Sequence, residues 1–236
     1  MRTTARAKWD PDLAHELPVA VIEPGQAQAI HLQNLSISTS LSRYYVKNFI
    51  PPEKVIDVLN AAGVRFMLAG AHAMGGWTNE PRTTQDVDVL VGSRHVRTAI
   101  LAITTSFPML ILRDTPVVAR FADPKSGLVL IDLMKPNQPL FRDAMRFTRQ
   151  IRSKKRTYFV PSLEFALAMK FAAMVSPRRE QSKKLIDGAD FIRIVKANRE
   201  INKSRLSVLA ERVYRGGGRE VVELVRKALF DEPIRF

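Results

Sequence analysis

Asp86 and Asp88 sit one residue apart at the head of an apolar run formed by Val87, Val89, Leu90 and Val91. Alternation along a strand puts both acids on one face and Val87, Val89 and Val91 on the other. An ionised carboxylate taken out of water without a partner costs several kcal/mol, so two side by side require a compensating charge. Converging hard oxygen donors suit Mg2+, which is held by a few carboxylates and keeps positions for water and substrate phosphates. A third acid, Asp132, lies inside the apolar residues 128–134, where the same argument applies. If its strand lies beside that of Asp86 and Asp88, the three form one cluster. Such a cluster suits two-metal phosphoryl chemistry, in which ions about 3.5–4 Å apart stabilise the attacking and leaving oxygens of an in-line displacement. The third acid is then also placed to take the proton of an attacking hydroxyl.

Several elements must position these acids. Residues 64–69 read as a strand ending at Gly70, and the Gly70–Ala71 turn opens a short helix whose small residues let a phosphate approach backbone N–H groups. Arg82, between the turn and the acids, adds a cation to that site. Residues 86–91 form the second strand. Upstream, Pro51, Pro52 and Glu53 open a helix with Val55, Val58, Leu59 and Ala62 on its buried face and Gly63 as its stop. Downstream, Ser93 is the expected cap of a helix carrying Val96, Ala99, Ile100 and Ile103 on one side. Further strands are expected at 109–112, 117–122 and 128–134, with residues 123–127 as a turn.

After a basic stretch over 142–156 the pattern becomes helical. Ser162 caps a helix at 163–175, another runs over 179–197, and two more are separated by residues 216–218. Residues 1–45 contain Pro18, Pro24 and Gly25 in a polar segment of weak periodicity and read as a partly irregular arm. The expectation is an α+β protein: an arm at 1–45, a small mixed sheet with packed helices at 46–155, and a helical domain at 156–236.

With 236 residues, 46% of them apolar, the chain has material for a real core. The absence of cysteine excludes disulfides, Cys-ligated zinc, iron–sulfur clusters and thiol catalysis, and four histidines argue against a His-rich metal site. No apolar stretch approaches the roughly 20 residues that span a bilayer, and the basic N-terminus lacks the apolar region of a secretory signal. A cytoplasmic protein without membrane contact is expected. The net charge of +14 and pI near 10.4 point to a polyanionic partner, nucleic acid first.

Gly70, Ala71, His72 and Ala73, then Gly75 or Gly76, then Arg82 through Asp88 together resemble the signature of the DNA polymerase β-like nucleotidyltransferases, nearest the AbiEii/MenT-type toxin branch. The resemblance covers residues 64–91 well and the rest loosely. It implies a Mg2+-dependent enzyme that uses a nucleoside triphosphate, with Asp86 and Asp88 as metal ligands and Asp132 as the third acid. It also implies Gly70 and Ala71 as the phosphate turn, with Arg82 and Thr84 on the nucleotide side. Ala71 stands where Gly or Ser is usual, which removes a hydroxyl contact and leaves backbone contacts available.

Lys170 shares a helical face with Leu163, Ala166, Leu167 and Met174, so it must snorkel, pair or meet an anion. The toxin branch has a lysine similar in position that is implicated in its nucleotide site. Asp187 and Asp190, three apart on the next helix, share a side. Either matches the further acid of that branch, or both pair with Lys183, Lys184 or Arg193. The basic groups Arg142, Arg146, Arg149, Arg152, Lys154, Lys155 and Arg156, and Arg178, Arg179, Lys183 and Lys184, would track a phosphate backbone or form solvated faces. Few aromatics lie among them, and no stacking platform for bases is expected there.

The leading expectation is transfer of a nucleoside monophosphate onto a hydroxyl of RNA, tRNA included, by the toxin of a toxin–antitoxin or phage-defence pair with a cognate antitoxin. The competing readings are transfer to a small molecule such as an aminoglycoside, which would call for an acidic cleft, and a catalytically inactive fold that binds nucleic acid or protein.

Overall fold

A computed structural model describes residues 21–23, 25–153 and 156–234. Much of the expected arm is a helix, α1 (Ala27–Tyr45), so the irregular reading is corrected for that stretch, while residues 1–20 lie outside the described residues. Periodicity is weak because α1 turns a polar face inward. His31, Asn34, Ser38, Thr39 and Ser42 are buried, while Ile37, Leu41, Tyr44 and Tyr45 are exposed.

The chain continues through α2 (Pro52–Ala61), β1 (Phe66–Leu68), α3 (Gly70–Thr78) and β2 (Val87–Val91). Pro at the first helical position opens α2, and Val55, Ile56 and Leu59 bury its face. Ser93 begins a single 3-10 turn, with no side-chain cap, that leads into α4 (Val96–Ser106). Next come β3 (Ile111–Asp114), β4 (Val118–Ala122) and β5 (Val129–Met134). The turn between the last two is held by Asp123, whose Oδ2 accepts from the Ser126 N–H at 2.8 Å and from its Oγ at 2.6 Å. The short α5 (Pro139–Arg142) precedes β6 (Thr148–Ser153) and β7 (Arg156–Pro161), and the remainder is helical: α6 (Leu163–Met174), α7 (Gln181–Ala197), α8 (Lys203–Glu211) and α9 (Gly217–Leu229). Ser162 stands at the N-cap position of α6 without capping it, its buried Oγ lacking a hydrogen-bond partner.

The strands form one seven-stranded mixed sheet in the order β3-β4-β5-β2-β1-β7-β6. It is larger than expected because the basic stretch contains the β6–β7 hairpin. Ile151, Tyr158 and Val160 of that hairpin are buried, and its arginines occupy positions that leave the core, which masks the alternation. The expected start of the helical part at 156 therefore falls on β7. Lys154 and Lys155 lie outside the described residues.

Core packs against both faces of the sheet. Val87, Val89 and Val91 of β2 join Phe66, Leu68, Val55, Leu59 and Ala99 on one side. On the other, Met67 and Leu90 join Phe165, Phe171, Phe191 and Leu206 beneath the C-terminal helices. β2 lies in the middle of the sheet, antiparallel to β1 and parallel to β5, with Asp88 directly opposite Asp132.

Candidate active site

The register between β2 and β5 brings the three sequence-predicted acids together. One carboxylate oxygen from each of Asp86, Asp88 and Asp132 lies within 4.8 Å of the other two, and all three residues are half-buried. Burial, and then the charges of Asp86 and Asp132, push the Asp88 carboxyl well above the usual carboxylate range, while Lys170 and Arg179 pull the other way. Burial raises Asp132 to about 6 against the opposing pull of Arg120, whose Nε is 3.5 Å from Oδ1. Arg120 faces Asp132 across the β4–β5 pairing and half of its side chain remains exposed. Asp132 Oδ1 accepts no hydrogen bond. Three hard-oxygen donors, mutually repelling and incompletely hydrogen-bonded, fit a divalent ion such as Mg2+.

Gly70 has a more specific duty than the sequence indicated. Its φ is +57°, and a Cβ there would lie 1.8 Å from Asp88 Oδ2, so the carboxylate occupies the space a side chain would fill. The turn thus seats Asp88 against the start of α3, where helix-terminal N–H groups favour negative charge.

The segment from Arg82 to Asp86 is anchored from a place the sequence did not advertise. The Arg82 N–H donates to Ser38 Oγ at 3.0 Å and the Thr84 N–H donates to Ser42 Oγ at 3.1 Å. Thr84 Oγ1 in turn donates to Asp86 Oδ1 at 2.8 Å, which orients that acid. The structure therefore places Thr84 as a support of Asp86. α1 reaches this position because α3 is bare where they cross. A Cβ on Gly75 would lie 2.9 Å from Asn34 Cβ, and one on Gly76 would lie 2.7 Å from the Ala27 carbonyl oxygen. Asn34 Nδ2 also donates to the Gly75 carbonyl at 2.8 Å.

Opposite the acids stands a cluster of ion pairs. Lys170, 6% exposed, donates to Asp187 Oδ1 at 3.0 Å and to Asp190 Oδ2 at 2.6 Å. Arg179 Nε donates to Asp187 Oδ2 at 2.5 Å. Asp190 also has Arg82 at 3.6 Å and Arg193 at 3.8 Å, and Arg193 reaches Glu80 at 3.4 Å. Of the partners proposed from sequence only Arg193 is found, because Lys183 pairs with Glu180 instead. Four cations thus meet Asp187 and Asp190. Ala71, Met74, Arg82, Asp190 and Arg193 line a cavity of about 160 Å³ between α3 and α7.

The basic groups do not form one track. Arg156 makes two 2.7 Å bonds to Asp57, Arg149 lies over the Trp77 ring and Arg179 serves Asp187. Sequence reading missed Ser38, Ser42 and Arg120. Nothing marks the serines, while Arg120 becomes visible only through the β4–β5 register.

No protein-family model and no curated protein matches the chain. Among solved structures, the chain is similar to an antigenic nucleotidyltransferase-like protein from Paracoccidioides brasiliensis, with a TM-score of 0.42 and 16% identity over 84% of this chain and 97% of that one. It is also similar to ANT(2")-Ia in complex with adenylyl-2"-tobramycin, with a TM-score of 0.46 and 12% identity over 71% of this chain and 94% of that one. A third is the Thermotoga maritima CCA-adding enzyme complexed with tRNA, with a TM-score of 0.33 and 12% identity over 78% of this chain and 53% of that one. These likenesses are partial in chain path, and the functional reading rests on the site's own chemistry.

Proposed function

We propose that the protein is a Mg2+-dependent nucleotidyltransferase that moves a nucleoside monophosphate from a triphosphate to a hydroxyl of RNA, tRNA included. The observation that carries this reading is the convergence of Asp86, Asp88 and Asp132 within 4.8 Å across from the Lys170 and Arg179 cations. The acceptor oxygen attacks the α-phosphorus, an O–P bond forms, the bond to the bridging oxygen breaks and pyrophosphate leaves. Asp86, Asp88 and Asp132 would hold the metal, which supplies Lewis-acid stabilisation of charge on the phosphoryl oxygens. Asp132, the third acid of the cluster, is the group to take the acceptor's proton. Gly70 and Thr84 fix Asp88 and Asp86, while the α3 N-terminus and Arg82 are set to meet the departing phosphates. Lys170, Asp187 and Asp190 hold the cationic wall in place behind the nucleotide.

The charge of +14 supports a polyanionic acceptor over a cationic small molecule. The resemblance of residues 70–88 to the AbiEii/MenT-type branch supports a toxin paired with an antitoxin. The test incubates the protein with Mg2+, each labelled triphosphate and total RNA, with Asp86→Ala and Asp88→Ala as controls. Label on RNA from the wild type alone is the expected result. Equal labelling by all three proteins overturns the assignment, and label on an added aminoglycoside alone moves the acceptor to the small-molecule class.

A further inference from the structure

The outward face of α1 is the least explained surface of the molecule. Ile37, Leu41, Tyr44 and Tyr45 follow helical spacing and face water, with Tyr44 83% and Tyr45 72% exposed. Soluble helices normally turn such a stripe toward the core. Here the inward face is given over to the polar residues that grip α3 and the 82–86 segment. The two tyrosine rings stand edge to face with centroids 4.9 Å apart, held as a pair at the end of the helix. Arg43 and Lys47 flank them, both exposed, and no acid occurs between Glu23 and Glu53. Position adds to composition. Tyr45 is three residues beyond Ser42, about 4.5 Å along the helix axis, and Ser42 is joined to Asp86 through Thr84.

We propose that Tyr44 and Tyr45 form a stacking platform for unpaired bases beside the acceptor hydroxyl of a single-stranded RNA end, with Arg43 and Lys47 meeting its phosphates. This proposal rests on the reading of the site as an RNA-directed nucleotidyltransferase. Paired aromatic faces beside cations suit single-stranded nucleic acid: every base has a π-face to stack, and the chain between bases is anionic. The sequence-based expectation of no platform concerns the Arg/Lys groups of 142–156 and 178–184, and Tyr44 and Tyr45 lie far from them in sequence.

The experiment measures binding of the full chain to a short single-stranded RNA carrying 2-aminopurine near its 3′ end, beside a blunt duplex of the same sequence, with neither nucleotide nor Mg2+ present. The wild type should quench the fluorophore and prefer the single strand. Tyr44→Ala and Tyr45→Ala should each weaken binding by at least about fivefold, the low end of the loss of one base–aromatic stack. Tyr44→Phe and Tyr45→Phe should bind as the wild type does. Unaltered melting temperatures for these surface variants verify folding. Wild-type affinity in the double alanine variant overturns the platform, as does equal binding of duplex and single strand. Loss of a dimer in the double alanine variant with RNA affinity intact also overturns it and assigns the face to a second copy of the chain. Because the readout needs no turnover, tyrosine-dependent binding without label transfer would instead count against the catalytic reading alone.

Discussion

Two groups of aspartates face each other across the site, and they are in opposite electrostatic states. Asp187 and Asp190 are the more deeply buried, each 3% exposed, yet Lys170, Arg179, Arg82 and Arg193 surround them. Asp86, Asp88 and Asp132 are less buried and have each other for neighbours, with Arg120 at the margin. Burial alone therefore does not mark a working acid. The first group is complete without a ligand, and the second is left in want of positive charge, the condition expected of a cation site.

The largest effects should come from breaking the unsatisfied group. On the proposed reading, Asp88→Asn lowers nucleotidyl transfer at least about a thousandfold, the scale of losing several kcal/mol of transition-state charge stabilisation. Its metal-free melting temperature should nevertheless rise, because the substitution removes repulsion among three acids, and the stabilisation by added Mg2+ should shrink. A lower metal-free melting temperature would mean that Asp88 is a structural acid like Asp187.

The satisfied group should respond in reverse. Lys170→Met leaves two buried carboxylates short of their shared partner and should cost about 3–5 kcal/mol in urea unfolding. Adding Asp187→Asn and Asp190→Asn to the same chain should recover part of that loss. If Lys170→Met unfolds like the wild type, the contrast between the groups collapses.

Beside Arg82, which reaches toward Asp190, lies His72. Burial first, and then the Arg82 charge, lowers its pKa to about 4, and His31 is lowered to about 4 by burial and by His72. Both side chains are buried. A histidine that binds its proton less readily when folded than unfolded gives stability that is complete above the ordinary value of 6.5 and declines as pH falls toward 4. Each should contribute on the order of 3 kcal/mol across that window, seen as a denaturant midpoint that falls from pH 7 to pH 4.5. His72→Gln should flatten the slope.

Gly70→Ala sharpens the comparison by displacing Asp88 without altering charge. Loss of about a hundredfold in transfer is expected from a shift of roughly 1 Å in a catalytic group. Lys170 pairing should survive, so the stability loss should stay well below that of Lys170→Met. The smallest change, Ser42→Ala, removes one hydrogen bond to the Thr84 N–H and should cost about 1 kcal/mol, with a several-fold fall in transfer that Ser42→Thr partly restores.

How much of this was legible follows from which signals survive in one dimension. Asp86, Asp88 and Asp132 stand out because apolar runs frame them, and the parallel β2–β5 register brings the two strands side by side. Lys170 announced that it needed a partner, but which acids supply it depends on how α6 meets α7, a tertiary outcome. α1 is hard to read in sequence because, beside Ala27 and Leu35, its buried residues are Ser, Thr, Asn and His, the reverse of the pattern that reveals a helix. The β6–β7 hairpin was hidden by arginines on its outer positions. Gly70 reads from sequence as a phosphate turn, and the neighbour the structure gives it is a carboxylate.

The pairing of Asp88 with Asp132 also sets an order of events during synthesis. Parallel strands cannot be joined by a tight turn, and β2 must wait for β3, β4 and the rest of β5 before its acids gain their third member. Lys170 and Arg179 arrive later still. A growing chain that ends anywhere before α6 would hold the acids without the cationic wall. On the proposed reading, that delay would keep nascent chains inert while they are still being made on RNA-rich machinery.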